Sequence, residues 1–276
     1  MGLAMNLEKP KVGIIGGTGG MGAWFADLLE HAGLKVFRVG RRTDFTPAEM
    51  ARQCGVTVIS VPIAETMSVI QEIGPLVPEN GLLMDLTSIK AESMKAMLRC
   101  SSGEVVGMHP LFGPDSSAGN LNQRVIVCPG RGKQGLGWLR KILGQAGLAV
   151  TTLSAEEHDR IMGLVQGVNH FSTLVLALCI QRSGISLEDL LDCSTQTFAR
   201  RIDRIISIMG QPSGLFGSLL MENPSAKGFI AQYMNAAEEL TKVIRGKDKE
   251  AFERAFETSK QFFVRDIDAE REVMSA

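Results

Sequence analysis

The sequence predicts an α/β protein: an open, doubly wound sheet over residues 1–153, followed by an all-helical part over residues 154–276. Three observations predict it. Short apolar, β-rich runs alternate with amphipathic helical stretches up to about residue 153, the pattern of βαβ units. A glycine-rich turn joins the first strand to the first helix. Beyond Ser154 no stretch reads convincingly as a strand.

Residues 12–15 form the first expected strand. Gly16-Gly17-Thr18-Gly19-Gly20-Met21-Gly22 follows, then a helix over 23–31 and a second strand over 35–39. Gly17, Gly19 and Gly22 hold the Gly-x-Gly-x-x-Gly spacing. Glycine there permits a tight turn, close approach of backbone to a pyrophosphate, and close helix–strand packing. The helix N-terminus adds unpaired N–H groups and a positive dipole end. The stretch therefore reads as a Rossmann-type dinucleotide site, with Gly17, Thr18, Gly19, Gly20, Met21 and Gly22 against the cofactor; a glycine turn without ligand is the alternative. NAD sites usually carry a carboxylate at the end of the second strand. This chain has Gly40-Arg41-Arg42-Thr43 there. Guanidinium groups clamp a 2′-phosphate, which a carboxylate repels, so NADP is favoured. If Arg41 and Arg42 only stack on adenine or face solvent, NAD serves.

Further strands are expected over 56–61, 82–86, 105–108, 124–128 and 149–153, with helices over 65–73, 91–98 and 134–147. Val61 and Pro62 close one strand where the cofactor should pass. Asp85-Leu86-Thr87-Ser88-Ile89-Lys90 closes the next, which puts Ser88 and Lys90 at the carboxyl edge; Ser88 could equally cap the following helix. A β-rich run, 104–108, delivers His109 at its end, and Pro110 and Pro114 stiffen the loop beyond. The carboxyl edge of an open α/β sheet is where such folds bind ligands. Imidazole is the side chain that exchanges protons near neutrality.

Ser154 and Glu157 have the spacing of a capping box, opening a long helix to about residue 182. Helices over 187–192, 195–209, 215–221, 226–245 and 249–272 follow, with no flexible linker at the boundary near Ser154. On a regular helix His158 and His170 point about 120° apart, which argues against one common target. His170, in an apolar stretch, is either a packed core residue or a functional one. Arg200, Arg204 and Ser207 fall on one helical stripe, suited to an anionic substrate or to solvent. His31 ends the first helix and faces solvent or the helix dipole.

A formal charge of −1 leaves no basic field for nucleic acid or a membrane surface. No apolar run is expected to approach the ~20 residues of a membrane span, and residues 1–9 are too short and polar for a signal peptide. Five scattered cysteines lack metal-ligand spacing, so no metal is expected. They read as reduced packing residues of a cytoplasmic protein. Apolar faces throughout the helical part point to a homodimer, with packing inside one chain as the alternative.

Asp85-Leu86-Thr87-Ser88-Ile89-Lys90, His109-Pro110-Leu111-Phe112-Gly113-Pro114 and Glu157-His158-Asp159-Arg160-Ile161-Met162-Gly163, running on to His170-Phe171, resemble the prephenate dehydrogenase family over nearly the whole chain, nearest its archaeal branch. The resemblance implies a Rossmann domain with a helical dimerisation domain, and NAD(P)-linked oxidative decarboxylation of prephenate, or of arogenate, in tyrosine biosynthesis. By position it implies that His109 and Ser88 act at the ring hydroxyl and that His170 lies near the substrate side chain. Lys90 is expected on the substrate side from its place at the same carboxyl edge as His109. One residue departs: the family's carboxylate-binding arginine aligns with Ser207, leaving Arg204 or Arg200 to replace it. A β-hydroxyacid dehydrogenase would need a lysine on the long second-domain helix, and residues 154–182 contain none. A nucleotide-binding dimer without activity is the remaining alternative.

Overall fold

In a computed structural model, residues 9–114 and 123–275 are described, with side chains to residue 264. The chain runs β1 (Lys11–Ile15), α1 (Gly20–His31), β2 (Lys35–Val39), α2 (Pro47–Gln53), β3 (Val56–Ile59), α3 (Ile63–Ile73), β4 (Leu82–Asp85), α4 (Ala91–Cys100), β5 (Glu104–Pro110), β6 (Arg124–Pro129), α5 (Gln134–Gln145) and β7 (Ala149–Thr152). All-helical chain follows: α6 (Ala155–Met162), a π-helical segment (Gly163–Val168), α7 (Asn169–Ser183), α8 (Leu187–Asp192), α9 (Gln196–Met209), α10 (Ser213–Met221), α11 (Ala226–Gly246) and α12 (Lys249–Ser275).

The seven strands form one sheet in the order β2-β1-β3-β4-β5-β6-β7. β1 to β5 are parallel; β6 pairs antiparallel with β5, and β7 follows β6. Strand order reverses between β1 and β3, and the crevice outside such a switch point is where open α/β sheets bind ligands. Side chains alternate across the sheet into two cores. Val12, Ile14 and Met108 join Phe25 and Leu29 of α1 and Trp138 and Leu143 of α5. Ile15, Ile59 and Val105 join Met50, Ile70, Met94, Met97 and Met162, from α2, α3, α4 and α6, on the other face.

Most expected elements are present, with four differences. First, α2 is a helix that the apolar periodicity does not predict. Thr46 accepts from the Glu49 N–H while the Glu49 carboxylate accepts from the Thr46 N–H, with Pro47 in the first turn. Met50 then packs so close to β1 that a Cβ on Gly13 would lie 1.6 Å from its sulfur. Second, β5 extends through His109 to Pro110, with His109 opposite Ile126; the histidine is in the strand, not after it. Third, only half of the Ser154 capping box forms. Ser154 accepts from the Glu157 N–H, but the Glu157 carboxylate turns to Arg160. Fourth, Cys54 and Cys128 are buried packing residues, their thiols pushed up to about 11 and about 12 by burial, whereas Cys179 and Cys193 are exposed.

Packing divides the chain into two compact units, 1–227 and 228–276. The expected boundary at 153/154 lies inside the first, because Met162, His158 and Asp159 are buried among the sheet-side residues. The continuous helical run Ala155–Ser183 is long and apolar enough to cross a membrane by length and composition, which corrects the expectation that no run approached that length. In the second unit α11 and α12 expose Met234, Leu240, Ile244, Phe256, Phe262 and Phe263.

Candidate active site

β1 ends at a turn that only glycine can make. Gly16 has φ +81°, and a Cβ there would lie 2.1 Å from the Ser60 carbonyl oxygen. A Cβ on Gly22 would meet the Gly16 oxygen at 2.2 Å, and one on Gly17 the Ile14 oxygen at 2.8 Å. Gly19, by contrast, would place a Cβ only in ordinary contact, 3.5 Å from the Gly16 oxygen, and is the N-cap of α1, with no side-chain cap and no acidic residue in the first turn. Backbone N–H groups of Gly20, Met21 and Gly22 are thus left at a positive helix end, a cradle that fits a pyrophosphate. Thr18 lies beside Gly40. Arg41 and Arg42, after β2, are exposed, and Arg41 reaches Glu65 at 2.9 Å. Val61 is half-buried and Pro62 is the N-cap of α3, both beside the turn at the end of β3.

The loop after His109 folds back onto this turn. Phe112 meets Trp24 of α1 edge-on at 5.0 Å, and Pro114 lies 3.0 Å from where a Gly20 Cβ would stand. Pro114 is five positions along the chain from His109, so the His109 backbone is within about 18 Å of the residue that touches the turn.

His109 itself is 3% exposed. Its Nδ1 is 2.8 Å from His158 Nε2, and His158 Nδ1 is 2.8 Å from Asp159 Oδ1. Asp159 also accepts from the backbone N–H groups of Lys90 and Ala91, one per oxygen, at 2.8 Å each. It thereby caps α4 from 68 residues away, and Ser88, half-buried in the loop before α4, is not the cap. The other ring nitrogen of His109 faces the Gln166 amide nitrogen at 3.4 Å. Burial, then the neighbouring His158 and Lys90 charges, hold the His109 pKa well below its ordinary value. Burial also lowers His158, against the pull of Asp159. Both rings are therefore neutral near pH 7.

Lys90 is not where a substrate could meet it. Its side chain is fully buried and its Nζ sits 2.8 Å from Asp85 Oδ1. The stem crosses under β5, 3.1 Å from where a Gly107 Cβ would be. Burial raises the Asp85 pKa, and Lys90 opposes that rise.

His170 opens α7, buried and edge-on to Phe216 at 5.0 Å. Its Nδ1 has no hydrogen-bond partner among the described residues. Burial, then the Arg204 charge, lowers its pKa. Arg200, Arg201 and Arg204 of α9 and Asn169, Ser172 and Thr173 of α7 line a pocket of about 210 Å³. Ser207 is exposed and does not line it.

The sequence assigns no role to His158, Asp159 or Gln166, although His158 and Asp159 fall in a block that carries the family resemblance. The regular-helix geometry that separates His158 from His170 does not hold, because the π-helical Gly163–Val168 segment lies between them. A π turn takes about one extra residue, rotating the downstream helix back by roughly 100°. Gly163 and Gly167 let residues 225 and 226 pack closely on this segment: a Cβ on either would press on Ser225 or Ala226 at 2.8 and 3.0 Å. The signal present in sequence is a His-Asp pair in a first turn, followed by two glycines four apart.

Sheet order and turn define a Rossmann-class dinucleotide-binding protein. A family model described as prephenate dehydrogenase, nucleotide-binding domain, matches residues 31–151, and one described as prephenate dehydrogenase, dimerization domain, matches residues 154–258. A Methanocaldococcus jannaschii protein named probable arogenate/prephenate dehydrogenase is 32% identical over 91% of this chain, which spans 60% of that relative's length. The T-protein of Enterobacter agglomerans is 33% identical over 93% of this chain and 68% of its own. In fold, the chain is similar to the crystal structure of A. aeolicus prephenate dehydrogenase in complex with hydroxyphenyl propionate and NAD+: TM-score 0.73 at 20% identity, covering 94% of this chain and 99% of that one. The chain belongs to the prephenate dehydrogenase family.

Proposed function

We propose that the protein oxidatively decarboxylates prephenate to 4-hydroxyphenylpyruvate, passing hydride to NADP, with NAD and arogenate as the alternative cofactor and substrate. Residues 1–153 serve the nucleotide and residues 154–276 the substrate and a homodimer. One observation carries the reading: the loop after His109 folds onto the glycine turn, with Phe112 on Trp24 and Pro114 beside Gly20. Base and nucleotide cradle thereby belong to one site.

A bound pyridine dinucleotide supplies the hydride acceptor, held by the backbone of Gly17, Thr18, Gly19, Gly20, Met21 and Gly22, with Val61 and Pro62 alongside. Arg41 and Arg42 support NADP, since both lie exposed after β2, where a 2′-phosphate would come. Neutral His109 accepts the ring-alcohol proton as hydride leaves the same carbon, with Ser88 orienting the hydroxyl. Gln166 must yield its place at the imidazole to that hydroxyl. Loss of carbon dioxide makes the ring aromatic, so the protein need not supply that driving force. The arginines beside His170 receive the substrate's carboxylates, in place of the family's arginine at the Ser207 position. Exposed Leu164, Val165, Val175 and Leu178 favour a second copy of this chain as the partner of the long helix.

The test is an absorbance assay for reduced cofactor, with prephenate or arogenate against NAD+ or NADP+. Turnover is expected with prephenate and NADP+. His109→Asn should lower kcat at least about a hundredfold and leave cofactor affinity unchanged. No reduction with any of the four pairs would overturn the reading.

A further inference from the structure

The polar chain behind His109 has a fixed direction, set by groups that cannot reverse. The N–H groups of Lys90 and Ala91 are donors at every pH, and each points at one oxygen of Asp159. Both oxygens are thus committed as acceptors, so the proton in the 2.8 Å contact to His158 resides on His158 Nδ1. A neutral imidazole carries one N–H, which leaves His158 Nε2 as an acceptor. The 2.8 Å contact from His158 Nε2 to His109 Nδ1 therefore needs its proton on His109 Nδ1. That leaves His109 Nε2 as a bare lone pair, facing the Gln166 amide nitrogen. Gln166 agrees with this polarity: its NH2 donates toward the lone pair, and its Oε1 is buried without a partner among the described residues.

We propose that His158 and Asp159 are positioning residues that impose the Nδ1–H tautomer on His109, with the N-terminus of α4 as the reference that fixes the whole chain. The consequence for turnover rests on the dehydrogenase reading; the tautomer does not. During turnover the substrate hydroxyl proton goes to His109 Nε2, and the proton on His109 Nδ1 passes to His158 Nε2. Hydride leaves the substrate carbon for the oxidised pyridine dinucleotide, so electrons and protons balance. The positive charge then lies on His158, beside Asp159, and not on the ring facing the substrate. The same carboxylate holds the start of α4, so the loop carrying Ser88 and the base are set by one group.

The test uses the full chain without cofactor. It carries four histidines, few enough to assign by long-range ¹H–¹⁵N correlation, which distinguishes the two neutral tautomers. His109 is expected as Nδ1–H and His158 as Nδ1–H. In Asp159→Asn an amide NH2 can face His158, and both tautomers should invert; with prephenate, kcat should fall at least about a hundredfold while cofactor KM is unchanged. His158→Gln separates positioning from folding, since its amide can accept from His109 and donate to Asp159. It should keep the His109 tautomer but lower kcat, since an amide cannot take up the His109 proton, whereas His158→Leu should lose the tautomer as well. An Nε2–H tautomer of His109 in the unaltered protein would overturn the proposal, as would a tautomer untouched by both Asp159→Asn and His158→Leu. If the protein turns over no cyclohexadienyl acid, the spectra still decide the tautomer, so the two readings fail separately.

Discussion

The polar groups around His109 and those around Arg204 lie in the same compact unit, yet they are solvated in opposite ways. Behind His109, Asp85, Lys90, His158 and Asp159 are buried, and their contacts run at 2.8 Å. Each group there is held by another, and the network ends on backbone N–H groups. Across α7 and α9, Arg200, Arg201 and Arg204 line an open pocket and form no ion pair among the described residues. A buried network is costly when any member is missing. An exposed guanidinium is tolerated alone, because water solvates it until an anion arrives. The base is therefore built before substrate binds, whereas the anion site is left for the ligand to complete.

The sharpest way to break this contrast is at Lys90. Lys90→Met strands the Asp85 carboxylate in the interior and should cost about 3–5 kcal/mol in urea unfolding; adding Asp85→Leu should restore most of it. A mild loss, with a raised substrate KM instead, would return Lys90 to the substrate side. At the open pocket the expectation reverses. Arg204→Ala should leave the melting temperature unchanged and raise KM for a dianionic substrate about tenfold to a hundredfold, the loss of one charged hydrogen bond of about 1.5–3 kcal/mol. An unchanged KM would make that stripe a solvated face.

The smallest effect per group is in pH. His109, His158 and His170 all have folded pKa values below the ordinary one. Lys90 and Arg204 add to the lowering, while Asp85 and Asp159 oppose it at His158. Below about pH 6.5 the unfolded chain takes up protons that the folded one refuses. Stability should then fall with acid by up to about 1.4 kcal/mol per pH unit for each of the three, until each folded pKa is passed. Urea midpoints between pH 7.5 and pH 5, about the ordinary histidine pKa, would check this, and a flat profile would mean that these rings charge freely in the fold.

Whatever local pattern encodes was legible in the residues. Strand and helix periods follow from side-chain alternation, and the glycine turn announces itself because Gly16 and Gly22 leave no room for a Cβ. Even α2 had its signal, Thr46-Pro47-Ala48-Glu49, a capping box with proline in the first turn. The partners of His109 were not legible. His158 lies 49 residues away, Gln166 57, and the link from Asp159 to α4 spans 68 and 69. Lys90 shares the carboxyl edge with Ser88 in the linear reading, but its side chain turns inward to Asp85. The sequence by itself determined which residues could do the chemistry. Tertiary structure decided which are dry and paired, because burial and hydrogen-bond direction depend on the side chains that pack across the sheet, and the π segment between His158 and His170 removes the regular spacing from which a partner could have been inferred.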